Sequence, residues 1–166
     1  MSASHSSFGA ALHADSPTPE RGHKMSLYGF LVGDWEADVV IHPGAGAPRR
    51  ASGEIHAGWV LEGRAIQDVW ILPGLFYGTT LRVYDPSLEA WHILWTDPVM
   101  QVYPRMLGRA DAAGIMQEGE NETGGLIRWS FRDITAGSFH WRAEASADGA
   151  AWRLQLEFLA RRVRAA

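Results

Sequence analysis

The sequence predicts an all-β fold, a closed antiparallel up-and-down barrel of about ten strands with a short N-terminal helix, and three observations carry that expectation. Turn-forming residues punctuate the chain from position 35 onward: Pro43-Gly44-Ala45-Gly46, Pro73-Gly74, Asp85-Pro86, Asp97-Pro98, Ala112-Ala113-Gly114, Thr123-Gly124-Gly125, Ala136-Gly137 and Asp148-Gly149. Between them run short segments in which apolar and polar residues alternate, as a strand with one buried face requires. Such a long succession of strands would leave two open sheet edges unless the sheet closed on itself.

The elements follow in order. Residues 1–24 read as an extended arm, because the prolines in Ser16-Pro17-Thr18-Pro19 bias the residues before them away from helix. The barrel domain then occupies 25–166. Within "MSLYGFLVG", Leu27, Phe30 and Leu31 recur at helical spacing, Ser26 stands where an N-cap would and Gly33 ends the pattern, which predicts one short helix. Strands are expected near 35–42, 51–59, 63–72, 75–84, 89–95, 100–108, 113–119, 125–133, 137–146 and 151–162. In the ninth, Phe139, Trp141, Ala143 and Ala145 oppose His140, Arg142, Glu144 and Ser146. In the last, Trp152, Leu154, Leu156 and Phe158 oppose Arg153, Gln155, Glu157 and Arg161. The apolar sets are expected to face inward.

Composition narrows the function. A chain of 166 residues suits one domain, and 46% apolar against 20% charged residues places it among globular proteins. Eight tryptophans each bring a flat apolar surface and one N–H that needs a partner when buried, which suits a core or a ligand cavity. The net charge is −4 and basic residues cluster only at Arg161, Arg162 and Arg164, so no nucleic-acid partner is expected. Without cysteine there are no disulfides, thiolate metal sites or Cys nucleophiles. The histidines at 5, 13, 23, 42, 56, 92 and 140 form no His-x-His or His-x-x-x-His pair, so neither a metal site nor a cofactor is expected. The start lacks a basic segment followed by an apolar one, and no run approaches the roughly 18 apolar residues of a membrane span. A cytoplasmic location and no membrane span are therefore expected, with a homodimer as the assembly.

Gly33-Asp34-Trp35, after a short helix and at the start of the first strand, resembles the Gly-x-Trp signature of the calycin superfamily, to which lipocalins, fatty-acid-binding proteins and nitrobindin-like proteins belong. The resemblance spans about 26–163 and implies that Trp35 closes the barrel bottom with Arg161 or Arg162 packed across its indole. "YGTTLRVYDPSLEAWHILWTDP" is similar to uncharacterised bacterial lipocalin-like domains. Kinship with nitrobindin would imply a haem on a lumenal histidine. His140 is the nearest candidate, but Arg142 and Glu144 share its face and mark that face as solvated.

Two functions follow from the residues. In the first, Trp59, Trp70, Tyr77, Trp95, Tyr103, Trp129 and Trp141, contributed by different strands, converge around a small apolar or aromatic, possibly anionic, ligand, and Arg64 anchors it beside Asp68. In the second, a cofactor-free isomerase, cyclase or lyase uses His56 or Asp68 as base and Arg64 or Arg82 to stabilise an enolate. Gly-x-Ser-x-Gly is absent, and "PGAGAP" leads into a strand rather than a helix, so neither a serine nucleophile nor a phosphate loop is read. Binding is the preferred reading, because it needs only a dry aromatic wall and an anchor.

Overall fold

The computed structural model describes residues 7–163. His5 and Arg164 lie outside them. Ten strands form the barrel: β2 (Gly33–Ile41), β3 (Arg49–Val60), β4 (Ala65–Leu72), β5 (Phe76–Asp85), β6 (Ala90–Thr96), β7 (Arg105–Asp111), β8 (Gly114–Glu120), β9 (Leu126–Arg132), β10 (Ser138–Ser146) and β11 (Arg153–Arg162). Each pairs antiparallel with its neighbours in sequence, and β11 pairs back onto β2, so the ring closes without a free edge. A two-residue strand, β1 (His13–Ala14), adds to the end of β3 at Val60 and Trp59.

The arm differs from the extended path expected of it. Phe8–Leu12 form a helical turn, α1, whose first N–H groups are met by Ser7: its hydroxyl accepts from Ala10 N at 3.3 Å. Pro19 opens a 3-10 stretch, Pro19–Met25, behind Thr18. Proline disfavours helix before itself yet suits the first helical position, where its missing N–H would have no partner, and this second effect wins here. The helix α2 is only Ser26–Gly29, and Ser26 donates its hydroxyl to His23 O at 2.6 Å instead of capping.

Two other expectations shift for local reasons. The strand expected at 100–108 begins at Arg105, because the turn at Asp97-Pro98 is longer than the dipeptide suggests. The Asp97 carboxylate accepts from Val99 N and Met100 N, and a bridge joins Asp97 to Val102. In β11 a bulge sets Ala143 opposite Leu156 but Glu144 opposite Leu154, so the alternation reverses and Gln155 turns toward the interior. Trp152, expected inside, instead stacks on the Arg128 guanidinium at 4.1 Å.

The helical segment plugs one end of the barrel. Met25, Tyr28 and Leu31 are fully buried there, and Tyr28 meets Trp91 and Phe131 edge-on at 5.0 and 6.0 Å between ring centres. Beside this plug Trp35 packs on Phe139 at 4.7 Å. The Arg162 guanidinium lies 4.1 Å over the Trp35 ring and donates to Phe30 O and Val32 O at 2.7 Å and to Ala136 O at 2.9 Å. Gly33 is glycine for this reason: its φ is +126°, and a Cβ there would run into that guanidinium. Arg161 points outward to Asp38, so of the two arginines the resemblance named, Arg162 makes the stack. Among the described residues no helix is long and apolar enough to cross a membrane.

Candidate functional site

The barrel end opposite the plug holds a cavity of about 450 Å³, within the range of small-molecule sites. Inward-facing positions of β4, β6, β9 and β10 supply its wall. Trp70 lies 5.0 Å from Trp141, Trp141 lies 5.4 Å from Trp129 and Trp129 lies 6.1 Å from Trp95, so four indoles form one continuous chain of ring contacts. Phe76 extends it, 5.7 Å from Trp95. Gly78 makes room for the Trp95 indole, which crosses β5 where any Cβ would stand. Ile41, Leu75, Met100, Val102, Ala143 and Leu156 complete the apolar lining.

Polar groups are few and placed deep or at the rim. Arg82 and Asp68 form an ion pair with side chains 1% and 0% exposed. Asp68 also accepts from Thr80 N at 3.2 Å, so both carboxylate oxygens are engaged. The Arg82 guanidinium sits over the Tyr28 and Phe131 rings at 5.4 and 5.7 Å, and Tyr28 donates to Gln117 Oε1 at 3.1 Å. Burial pushes the Tyr28 hydroxyl far up from its ordinary pKa, with Arg82 opposing the shift, so it stays a neutral donor. Trp70 Nε1, Trp141 Nε1 and Arg82 Nε are buried and meet no acceptor among the described residues. Folded proteins seldom leave such groups unpaired, since each one costs the hydration it has lost.

The structure sorts the candidate residues sharply. Trp70, Trp95, Trp129, Trp141 and Arg82 line the cavity, and Asp68 stands behind Arg82. The others do not reach it. Trp59 is buried at the plugged end, next to Gly29, because β3 runs past the cavity toward β1. Tyr77 alternates outward from Phe76 and is 57% exposed. Tyr103 lies beyond the long turn, exposed, its hydroxyl donating to Gln101 Oε1. Arg64 belongs to the β3–β4 turn and pairs with Glu20 and Glu62 on the surface, and the arginine that lines the cavity is Arg82. His56 faces outward and pairs with Asp34 and Glu54. His140 is likewise outside, 2.8 Å from Glu157. Among the described residues no cluster of three or more His, Asp or Glu side chains is placed to hold a metal ion. Sequence reasoning missed Phe76, Met100, Val102, Asp97 and Gln155 as lining. The first was recoverable from alternation with Tyr77; the rest depend on a long turn and a bulge that leave no composition signal.

No family model matches the chain, and no curated protein does. Solved structures do. Rv2717c of M. tuberculosis superposes with a TM-score of 0.63 at 15% identity, over 90% of this chain and 100% of that one. An S-type phycobiliprotein lyase, CPES, of Guillardia theta superposes with a TM-score of 0.58 at 11% identity, over 85% of this chain and 93% of that one. Likeness at such identity is a likeness of fold, and it agrees with the barrel described above.

Proposed function

We propose that this chain is a small-molecule binding barrel of calycin type that takes an apolar or aromatic ligand into the open-end cavity. The observation that carries the reading is the indole chain Trp70–Trp141–Trp129–Trp95 around about 450 Å³ of unfilled space, where a core at ordinary packing density would leave almost none. The Trp35–Arg162 stack over a helical plug supports the superfamily likeness. Having a plugged end and an aromatic-walled end suits a carrier, which needs one entrance and a dry wall.

The enzymatic reading loses ground in the same geometry. Asp68 is held behind Arg82 by that arginine and Thr80 N, and His56 lies on the outer surface, so neither proposed base lines the cavity. The test is a titration with fatty acids and planar aromatic compounds, following tryptophan emission. Saturable quenching by at least one class, weakened in Trp95→Ala and Trp129→Ala, is expected; no response to any class would overturn the reading.

A further inference from the structure

We propose that the ligand of this cavity is uncharged and planar and carries a carbonyl-type oxygen that enters first, to be read by Trp70, Trp141 and Arg82. The proposal rests on the cavity being a binding site and specifies what that site recognises. Three N–H groups, Trp70 Nε1, Trp141 Nε1 and Arg82 Nε, are buried without an acceptor among the described residues, and all three side chains line the same cavity. Indole and guanidinium nitrogens only donate, so only a molecule bearing an acceptor atom can satisfy them. The two indoles are neighbours in that wall, 5.0 Å between ring centres.

Charge decides between an anionic acceptor and a neutral one. The Arg82 charge is already matched by Asp68, and both are out of water. Asp97 also lines the cavity with a buried carboxylate, caps Val99 N and Met100 N at 2.9 and 3.1 Å, and meets no cation at ion-pair distance among the described residues. Arg82, Asp68 and Asp97 together leave one net negative charge. A ligand carboxylate read at the Arg82 level would be desolvated next to an arginine whose charge Asp68 already matches, with the unmatched charge of Asp97 in the same low-dielectric cavity, which is unfavourable. A ketone, amide or quinone oxygen accepts hydrogen bonds without that penalty.

Register supplies the scale. Arg82 stands opposite Ile93, and Asp97 lies four residues farther along, so the two levels are about 13 Å apart at about 3.3 Å per residue. A flat system of two or three fused rings fits lengthwise between them, against Trp95 and Trp129.

Three probes of nearly equal shape separate the possibilities: acetylnaphthalene, ethylnaphthalene without an acceptor, and naphthoate with a charged one. Calorimetric titration of the parent chain at neutral pH is expected to give a dissociation constant for acetylnaphthalene about tenfold below that of naphthoate, the worth of one or two buried hydrogen bonds without a charge penalty. In Trp70→Phe and Trp141→Phe, which keep a ring and lose the N–H, acetylnaphthalene weakens about fivefold or more while ethylnaphthalene changes less than about twofold. Asp97→Asn is expected to improve naphthoate selectively. Naphthoate binding as tightly as acetylnaphthalene in the parent chain, or equal losses of the acetyl and ethyl probes in both Phe variants, would overturn the proposal while leaving the cavity a binding site. Failure of all three probes, and of the fatty acids, would overturn the binding reading together with it. The parent-chain comparison needs no substitution, so it stands even if a variant does not fold.

Discussion

Trp35 and Trp70 are both indoles on the inner face of the same barrel, each almost fully buried, yet their polar atoms are treated in opposite ways. At the plugged end Trp35 Nε1 donates to Leu31 O at 2.8 Å, and Arg162 above the ring donates to three backbone carbonyls. At the cavity end Trp70 Nε1 and Trp141 Nε1 have no acceptor among the described residues, although their rings are as well packed. Gln117 Nε2, against the plug residue Tyr28 that its oxygen serves, also meets no acceptor among the described residues. The difference teaches where each end's sequence constraint comes from. At one end the indole N–H is met within the chain, and at the other two indole N–H groups are left without an acceptor among the described residues, as a wall built to receive a molecule with acceptor atoms would leave them under the proposed function.

The largest effects should expose that division. Trp35→Ala is expected to lower stability by about 3–5 kcal/mol in urea unfolding, the range for buried aromatic truncation with little collapse. Trp129→Ala, half-buried and facing open volume, is expected to cost less than about 2 kcal/mol, since it enlarges a space that already exists. Equal losses would mean that the cavity end is core too. Asp68→Ala belongs in the upper group, at about 3–5 kcal/mol, because it leaves the Arg82 charge buried and unpaired. Asp68→Leu combined with Arg82→Met should recover most of that loss.

Next in size is the arginine pair of the last strand. Arg162→Ala removes hydrogen bonds to three carbonyls and the stack on Trp35, and about 2–3 kcal/mol is expected to go with them. Arg161→Ala breaks only an exposed pair with Asp38 and should leave the urea midpoint unchanged. If the two losses match, the plugged end is not held in the way its geometry implies.

The plugged end was the more legible of the two in the sequence. Gly33, Trp35 and a terminal arginine are local signals in fixed order, and a closed meander follows from turn chemistry and alternation. At the cavity end, alternation sets Arg82 on the face of Phe76 and Trp95 on that of Trp91, but it does not say which face turns in or at what height along the barrel each strand crosses. Trp59 and Trp70 alternate inward alike, yet they sit at opposite ends, a distinction that only register makes. Arg64 followed the period of Asp68 but fell in the turn, where the period no longer applies. The bulge that turns Gln155 inward came from a one-residue mismatch between two strands, and neither strand shows it alone.

The smallest expected effect lies just outside the plugged end, where His56 pairs across the β2–β3 ladder. Its Nδ1 is 2.7 Å from Asp34 Oδ1 and its Nε2 is 3.4 Å from Glu54 Oε2. The hydrogen bond to Asp34 raises its pKa above the ordinary 6.5, partial burial opposes that, and Glu54 adds to it. Because the folded state holds this proton more tightly than the unfolded chain does, the pair stabilises fully below about pH 6.5 and is lost as the pH rises through the higher folded value. The side chain is 46% exposed, so solvent screening keeps the contribution below about 0.5 kcal/mol. Urea midpoints measured from pH 6 to pH 8 should therefore show a small fall in the parent chain that is absent in His56→Gln. A rise over the same interval that His56→Gln abolishes would mean that the histidine is held neutral, and that the outer surface of the plugged end resists charge as its interior does.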